Sequence, residues 1–365
     1  MQTASEETSG LNADSKHAPK NEVSNLKSHS PTASLGPERS EEKELVPPSS
    51  LCAGEPYPVI PLGSLLDDVS RLVGICTASP RIKQLIIQQA HGAKEISAPF
   101  SVMLLSPTGR FKSTIMNAVA DKLNEHSRRR EQIKVITDAS LAGLVGSIDK
   151  NTSQFVPGAA WNAAGRVLLL DEFRTSKHDD RWSSLLQIMD SGLGRQRYVR
   201  KLGVFCNPLH LRKGDLRLDV EGGEIAMDVR LSCLIASMKS VEYAQGILFR
   251  ALMNRLVPYR YDLSEDDIFR FIDGDVEFNI TEYNPEVKVT IPRREYQRII
   301  RFVRDLMKVH PASSFSKKAN LARSVEDLCR MRAVTGEDDI DFEGKIVGWR
   351  LSTYERIGVR YRKKG

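Results

Sequence analysis

One stretch constrains this chain more than any other: Val102-Met-Leu-Leu-Ser-Pro-Thr-Gly-Arg-Phe-Lys-Ser-Thr114. An apolar run breaks into a short loop that ends in Lys112-Ser113, and Ile115 to Leu123 then follow a helical pattern. Strand, tight loop and helix in that order make a phosphate-binding P-loop. Backbone N–H groups at the helix N-terminus cradle phosphates, the lysine neutralises them and the Ser113 hydroxyl ligates Mg²⁺. Ser106, Pro107, Thr108, Gly109, Arg110, Phe111, Lys112, Ser113 and Thr114 are therefore the candidate nucleotide contacts. The loop is irregular against G-x-x-x-x-G-K-[ST]: Ser106 stands at the first glycine and Phe111 at the last, and Gly109 is the glycine that remains.

A second element fits the first. Val167-Leu-Leu-Leu-Asp-Glu172 is an apolar run ending in two carboxylates. Such a run suits a strand buried on both faces of a parallel sheet, and ligands of open α/β sheets sit at the carboxyl ends of the strands. Asp171 is then placed to hold Mg²⁺, and Glu172 to polarise an attacking water. The two segments together predict a site for ATP and Mg²⁺.

Composition frames this reading. The 365 residues leave room for one large domain and a smaller one, and 41% hydrophobic content supports a core. No run approaches membrane-crossing length, and the start, Met-Gln-Thr-Ala-Ser-Glu-Glu, lacks the order of a signal peptide. The five cysteines are scattered without C-x-x-C spacing, which predicts reduced core thiols in a cytoplasmic protein. A formal charge of +6 allows a polyanionic partner without requiring one.

Residues 1–50 are polar, nearly free of aromatics and expected to form a disordered leader. Residues 51–263 read as the α/β nucleotide-binding domain, and 264–365 as a helical lid with a short hairpin across Asn284-Pro285. Within the first domain, Arg81 to Ala90 reads as a helix with Ile82, Leu85 and Ile86 on one face, Ile133–Thr137 as a strand and Ser184–Met189 as a helix. In the lid, Ser264 before Glu265-Asp-Asp267 marks a helix start, and Tyr296 to Met307 carry an apolar helical face.

The segments around the Asp-Glu strand carry a family resemblance. Ala139-Ser-Leu-Ala-Gly-Leu-Val-Gly146 is followed by Pro157-Gly-Ala-Ala-Trp-Asn-Ala-Ala-Gly165, then Leu168-Leu-Leu-Asp-Glu-Phe173 and Leu185-Leu-Gln-Ile-Met-Asp190. This order resembles the AAA+ core of the MCM (minichromosome maintenance) replicative helicases, over roughly residues 75 to 355. The resemblance implies a three-layer αβα sandwich with a parallel sheet, a helical lid and a ring, most often a homohexamer, that hydrolyses ATP to move along or unwind DNA. Ala251-Leu-Met-Asn-Arg-Leu256 is similar to the family's arginine-finger segment, which makes Arg255 the finger, acting in trans. Arg323-Ser-Val-Glu-Asp-Leu-Cys-Arg-Met331 is similar to its sensor-2 helix, which points to Arg323. Leu234-Ile-Ala-Ser-Met238 occupies the sensor-1 strand with Ser237 where the family has Asn, an expectation of slow hydrolysis. The family's N-terminal DNA-binding domain has no counterpart ahead of the ATPase, so the expectation is a reduced, MCM-like enzyme of the kind that serves replication of a mobile element.

The basic residues Arg195, Arg197, Arg200 and Lys201 come before a long insertion that contains Arg212, Lys213 and Arg217, and the flanking runs Arg197–Val204 and Ile225–Arg230 suit a β-hairpin. Aimed at the centre of a ring, Arg and Lys at its tip would neutralise DNA phosphates without reading bases. Two other functions fit the same motifs: a MoxR-like remodeller of proteins, and a nucleotide-binding assembly module with little or no hydrolysis.

Overall fold

The computed structural model describes residues 57–125, 132–137, 139–172, 180–190, 197–238, 251–252, 254–274, 277–309 and 314–362, with 180, 238, 309, 314–320 and 352–362 as backbone alone. The predicted leader and Arg195 lie outside the described residues.

Helix α1 (Leu62–Ala78) starts after Pro61 and buries Leu65, Val69, Leu72, Val73 and Cys76, the three-and-four spacing of a helix with one face in the core. Strands β1 (Gln84–Gln89) and β2 (Gly92–Ile96) follow as an antiparallel hairpin. The helix expected over 81–90 is therefore a strand. Leu85 and Ile87 are buried and Ile86 between them is not, so the burial period is two; the β-branched isoleucines prefer that backbone. Next come β3 (Ser101–Ser106), α2 (Lys112–Glu125), β4 (Val135–Thr137), α3 (Leu141–Val145), the short hairpin β5 (Gly146–Ile148) and β6 (Phe155–Pro157), α4 (Ala159–Asn162) and β7 (Val167–Asp171). Then follow α5 (Asp180–Asp190), the long antiparallel pair β8 (Tyr198–Lys213) and β9 (Leu216–Asp228), β10 (Ser232–Met238) and β11 (Leu256–Arg260).

Five strands form an all-parallel sheet in the spatial order β11-β3-β10-β7-β4. Every residue of β3, β7 and β11 is buried, as strands covered on both faces must be. Alternate residues feed two separate cores. Val102, Leu104, Leu169, Leu234 and Val257 pack with α1 and α2, while Met103, Leu105, Leu168, Leu170 and Ile235 pack with α3, α4, α5 and the β8/β9 pair. The result is a mixed α/β architecture with helices on both faces of the sheet. Its carboxyl edge, where β3, β10 and β7 end side by side, holds the loop that leads into α2. Cys76, Cys206, Cys233 and Cys329 are free and buried. Among the described residues no helix is long and apolar enough to cross a membrane.

The C-terminal elements are α6 (Glu265–Ile272), β12 (Lys288–Ile291), α7 (Arg293–Val309), α8 (Ser314–Thr335) and α9 (Ile340–Arg362). Ser264 caps α6 by accepting the Asp267 N–H at 3.1 Å, as its sequence predicts. On α7, Ile299, Val303 and Met307 are buried, the expected apolar face. The hairpin expected across Asn284-Pro285 does not form among the described residues. Instead β12 pairs in parallel with β1, extending the β1/β2 hairpin to three strands. A parallel partner from 200 residues away is a tertiary choice that local turn chemistry does not announce.

Candidate functional site

The loop between β3 and α2 closes around the Lys112 amine. Its three donors are all used, to the Ser106 carbonyl and hydroxyl at 2.9 Å each and to the Pro107 carbonyl at 2.7 Å. Ser106 is fully buried and is not among the residues with positive φ, so the first glycine of the pattern is not required by this backbone. Its hydroxyl instead serves as an acceptor for the lysine. Gly109 at φ 75 does need to be glycine. Phe111 at φ 57 is left-handed, a costly conformation for a bulky residue. It is held by a ring on α6: Phe111 and Phe271 stack with centroids 4.1 Å apart. Arg110 is also anchored, through Nε to Asp262 Oδ1 at 2.5 Å, while its carbonyl accepts the Tyr261 hydroxyl at 2.9 Å. The loop is thus fixed from the segment that follows β11.

A cavity of 260 Å³ lies against this loop, lined by Thr108 to Thr114, Asp171, Glu172, Ala236 and Ser237. Every candidate placed on the carboxyl edge except the strand-end pair Ser106 and Pro107 lines it, and those two hold the lysine that does. Asp171 is buried and its Oδ1 accepts the Glu172 N–H at 2.8 Å. Glu172 itself has φ 49 and an exposed side chain, so a left-handed turn ends β7 at the cavity rim. Strain of this kind concentrates at functional sites. Ser237 is buried at the end of β10, which separates β3 from β7. Burial lowers the Lys112 amine to about 8, against the pull of Asp171.

The donor set suits a polyphosphate with its divalent cation. The first N–H groups of α2 have no helical partners, a cation stands among them, and the exposed Ser113 hydroxyl and the Asp171 carboxylate offer hard oxygen ligands. Among the described residues there is no cluster of three or more His, Cys, Asp or Glu side chains for a metal, so a cation here would need phosphate oxygens to complete its shell.

Arg255 and Arg323 are not in this cavity. Both line another, of 360 Å³, together with Lys94, Asp190, Glu326 and Arg330. Its floor includes Ser101, where β3 begins, and Leu231, just before β10, so it lies at the amino edge of the sheet. A six-residue strand such as β3 spans about 20 Å, which separates the two cavities. Arg255 is held by Asp190 at the end of α5, through Nε at 2.7 Å and through Nη2, and donates to the Ala251 carbonyl at 2.8 Å. Arg323 donates to Glu326 at 3.1 Å. Burial alone would raise the Glu326 carboxyl, but Arg330, Arg323 and Lys94 outweigh it and hold it below the usual range.

The β8/β9 pair is the expected hairpin, and longer: its register runs from Tyr198↔Met227 to Lys213↔Leu216. Its tip is folded against the body. Asp215 accepts Arg230 at 2.8 and 2.9 Å, and Lys213 donates to the Trp161 and Asn162 carbonyls at the end of α4, 5.4 Å from the Trp161 ring centroid. Arg197 is bound to Asp219 at 2.5 Å and holds that carboxyl low. Arg212 is exposed and stands directly opposite Arg217, a like-charged pair, while Lys201 is exposed and Arg200 half-buried further along.

Sequence reasoning missed the Phe111–Phe271 stack and the Arg110–Asp262 pair. The signal was available only in part: a phenylalanine at a glycine position demands a partner, but not one 160 residues away. In comparison with known proteins, the chain matches no family model and aligns significantly with no curated protein.

Proposed function

We propose that this chain is an ATPase with a P-loop αβα core of the AAA+ kind, resembling the ATPase of MCM helicases, that couples Mg²⁺-ATP hydrolysis to remodelling or moving along DNA. The observation that carries the reading is convergence at one edge of the sheet: the Lys112 amine, Ser113 and Asp171 meet on a single cavity between the ends of β3 and β7, with β10 between them. In this reading the first turn of α2 and Lys112 hold the phosphates, Ser113 and Asp171 hold Mg²⁺, and Glu172 orients the attacking water, with Ser237 beside it. Bound Mg²⁺ supplies charge neutralisation across the phosphates.

Arg255 supports the shared-site part of the reading. It is too far from its own Lys112 cavity to reach a phosphate there, so a role in hydrolysis would have to be played on another copy, on release from Asp190. Head-to-tail association would provide that copy, and we take its closed form to be a ring, a homohexamer. The DNA partner rests on the basic hairpin, and a cytoplasmic location on the buried free thiols.

Phosphate release by the purified chain, with and without single-stranded DNA, tests the proposal. Turnover that rises with DNA and vanishes in Lys112→Ala supports it; turnover equal in the variant and the parent overturns it. Tight ATP binding with negligible phosphate release would select the assembly-module reading, which Ser237 at the end of β10 favours.

A further inference from the structure

The Arg255 guanidinium is already occupied within its own chain. Nε and Nη2 meet the two carboxylate oxygens of Asp190, the first at 2.7 Å, and Nη1 donates to the Ala251 carbonyl at 2.8 Å. The pair is fork on fork, the geometry that makes a guanidinium–carboxylate contact strong. Arg323, in the same cavity, is held more loosely. It reaches Glu326 through Nη1 at 3.1 Å, and Glu326 is shared with Arg330 and Lys94. Of the two arginines at the amino edge, Arg255 is the one withdrawn.

Asp190 is the last residue of α5. A carboxylate there stands against the negative end of the helix dipole, and no basic residue in the last turn relieves it. The helix gains nothing from an acid at this position, whereas Arg255 is held by the carboxylate and the helix end together. α5 is anchored along its length, ~16 Å. Arg181 donates to the Ala139 carbonyl, just past β4, at 3.0 Å, and Leu185, Leu186 and Ile188 are buried. Opening the pair therefore moves Arg255 and not Asp190. The two side chains are 22% and 36% exposed, so water solvates the separated charges and a competing anion can open the pair.

We propose that Asp190 is a latch on Arg255. It keeps the guanidinium off phosphate until another copy presents a nucleotide, whose phosphate oxygens compete with the carboxylate for the same donors. The inference rests on the shared-site reading above and adds the residue that governs it. No covalent bond changes; the guanidinium exchanges one anionic partner for another. In the isolated chain the closed pair keeps Arg255 silent. In an assembly, the fraction of Arg255 that is released scales the rate at the neighbouring site.

Phosphate release by a set of variants tests the latch. Asp190→Asn keeps the shape, removes the charge and is expected to raise turnover about fivefold, the scale of a part-exposed ion pair, with KM for ATP unchanged. Asp190→Glu keeps the charge and should stay near the parent. The gain should vanish when Arg255→Ala is added, leaving the double variant as silent as Arg255→Ala alone. Mixtures read the effect between copies: a Lys112→Ala chain lends only its arginine, and an Arg255→Ala chain only its loop. Adding Asp190→Asn to the Lys112→Ala chain should raise turnover of the mixture by the same factor, and adding it to the Arg255→Ala chain should change nothing. Asp190→Asn turning over at or below the parent rate overturns the latch, because Asp190 would then brace Arg255 or merely support the fold. So does a gain that survives Arg255→Ala, or one that appears whichever chain of the mixture carries Asp190→Asn. Arg255→Ala turning over like the parent overturns the shared-site reading itself, whereas the other failures overturn this inference alone.

Discussion

At the scale of single residues, Lys112 sets the chemistry. Its amine is pushed down to about 8 by burial, only partly opposed by Asp171. On the proposed reading it is the charged form that binds phosphate, so affinity would be full below that value. As pH rises through it, nucleotide affinity is expected to fall, by about tenfold per pH unit until the pKa of the nucleotide-bound lysine is passed. Binding near pH 9 should take up a proton, which calorimetry in two buffers of different ionisation heat detects; a flat profile from pH 7 to 9.5 contradicts the assignment. Phe111 makes a second prediction. Its left-handed backbone is held by Phe271, so Phe271→Ala is expected to weaken nucleotide binding by up to about tenfold, the scale of an aromatic pair worth ~0.5–1.5 kcal/mol. In a Phe111→Gly background the same substitution should do nothing, because glycine adopts φ 57 unaided. Fluorescent-nucleotide titration of the four proteins reads this cycle. Lys112, Ser113 and Asp171 were legible as a set because their chemistry is local to two strand ends. The reason Ser106 and Phe111 are tolerated was not legible, since it lies in φ angles and in a ring on another element.

At the scale of elements, periodicity read the buried parallel strands well and read β1 wrongly. An apolar triplet such as Leu85-Ile-Ile87 fits a helix face or a strand equally until its partners are known, and one of them, β12, comes from 200 residues further along the chain. Arg350 shows the same limit for charge. Mid-helix on α9, it is fully buried, pairs with Asp327 of α8 at 2.5 Å and donates to the Leu256 carbonyl of β11 at 3.2 Å. It therefore fastens two C-terminal helices to the strand that follows Arg255. Arg350→Ala leaves the Asp327 charge buried beside Arg330 alone and is expected to destabilise the chain by about 3–5 kcal/mol. Arg350→Met with Asp327→Leu should lose less, since both charges go together and Arg330 keeps Glu326 and the Ser97 carbonyl as partners. Urea unfolding separates the two outcomes, and equal losses would show that packing, not charge, is what Arg350 provides.

At the scale of the whole molecule, the two edges of the sheet carry two separate cavities. The carboxyl edge presents the Lys112 cavity, and the amino edge presents Arg255 and Arg323 in the cavity that Asp190 and Glu326 close. About 20 Å of strand keeps them apart within one chain. In the proposed head-to-tail assembly, one subunit's loop would meet the next subunit's arginines to form each site. The sequence hinted at this only through resemblance; the separation of the cavities is a property of the folded sheet. Mixing two inactive variants measures it most directly. Lys112→Ala and Arg255→Ala chains, each silent in phosphate release, should regain part of the parent's turnover when combined, because some interfaces in a mixed assembly pair an intact Lys112 loop with an intact Arg255. No recovery, in a mixture shown by sedimentation to contain mixed assemblies, would contradict a site shared between subunits.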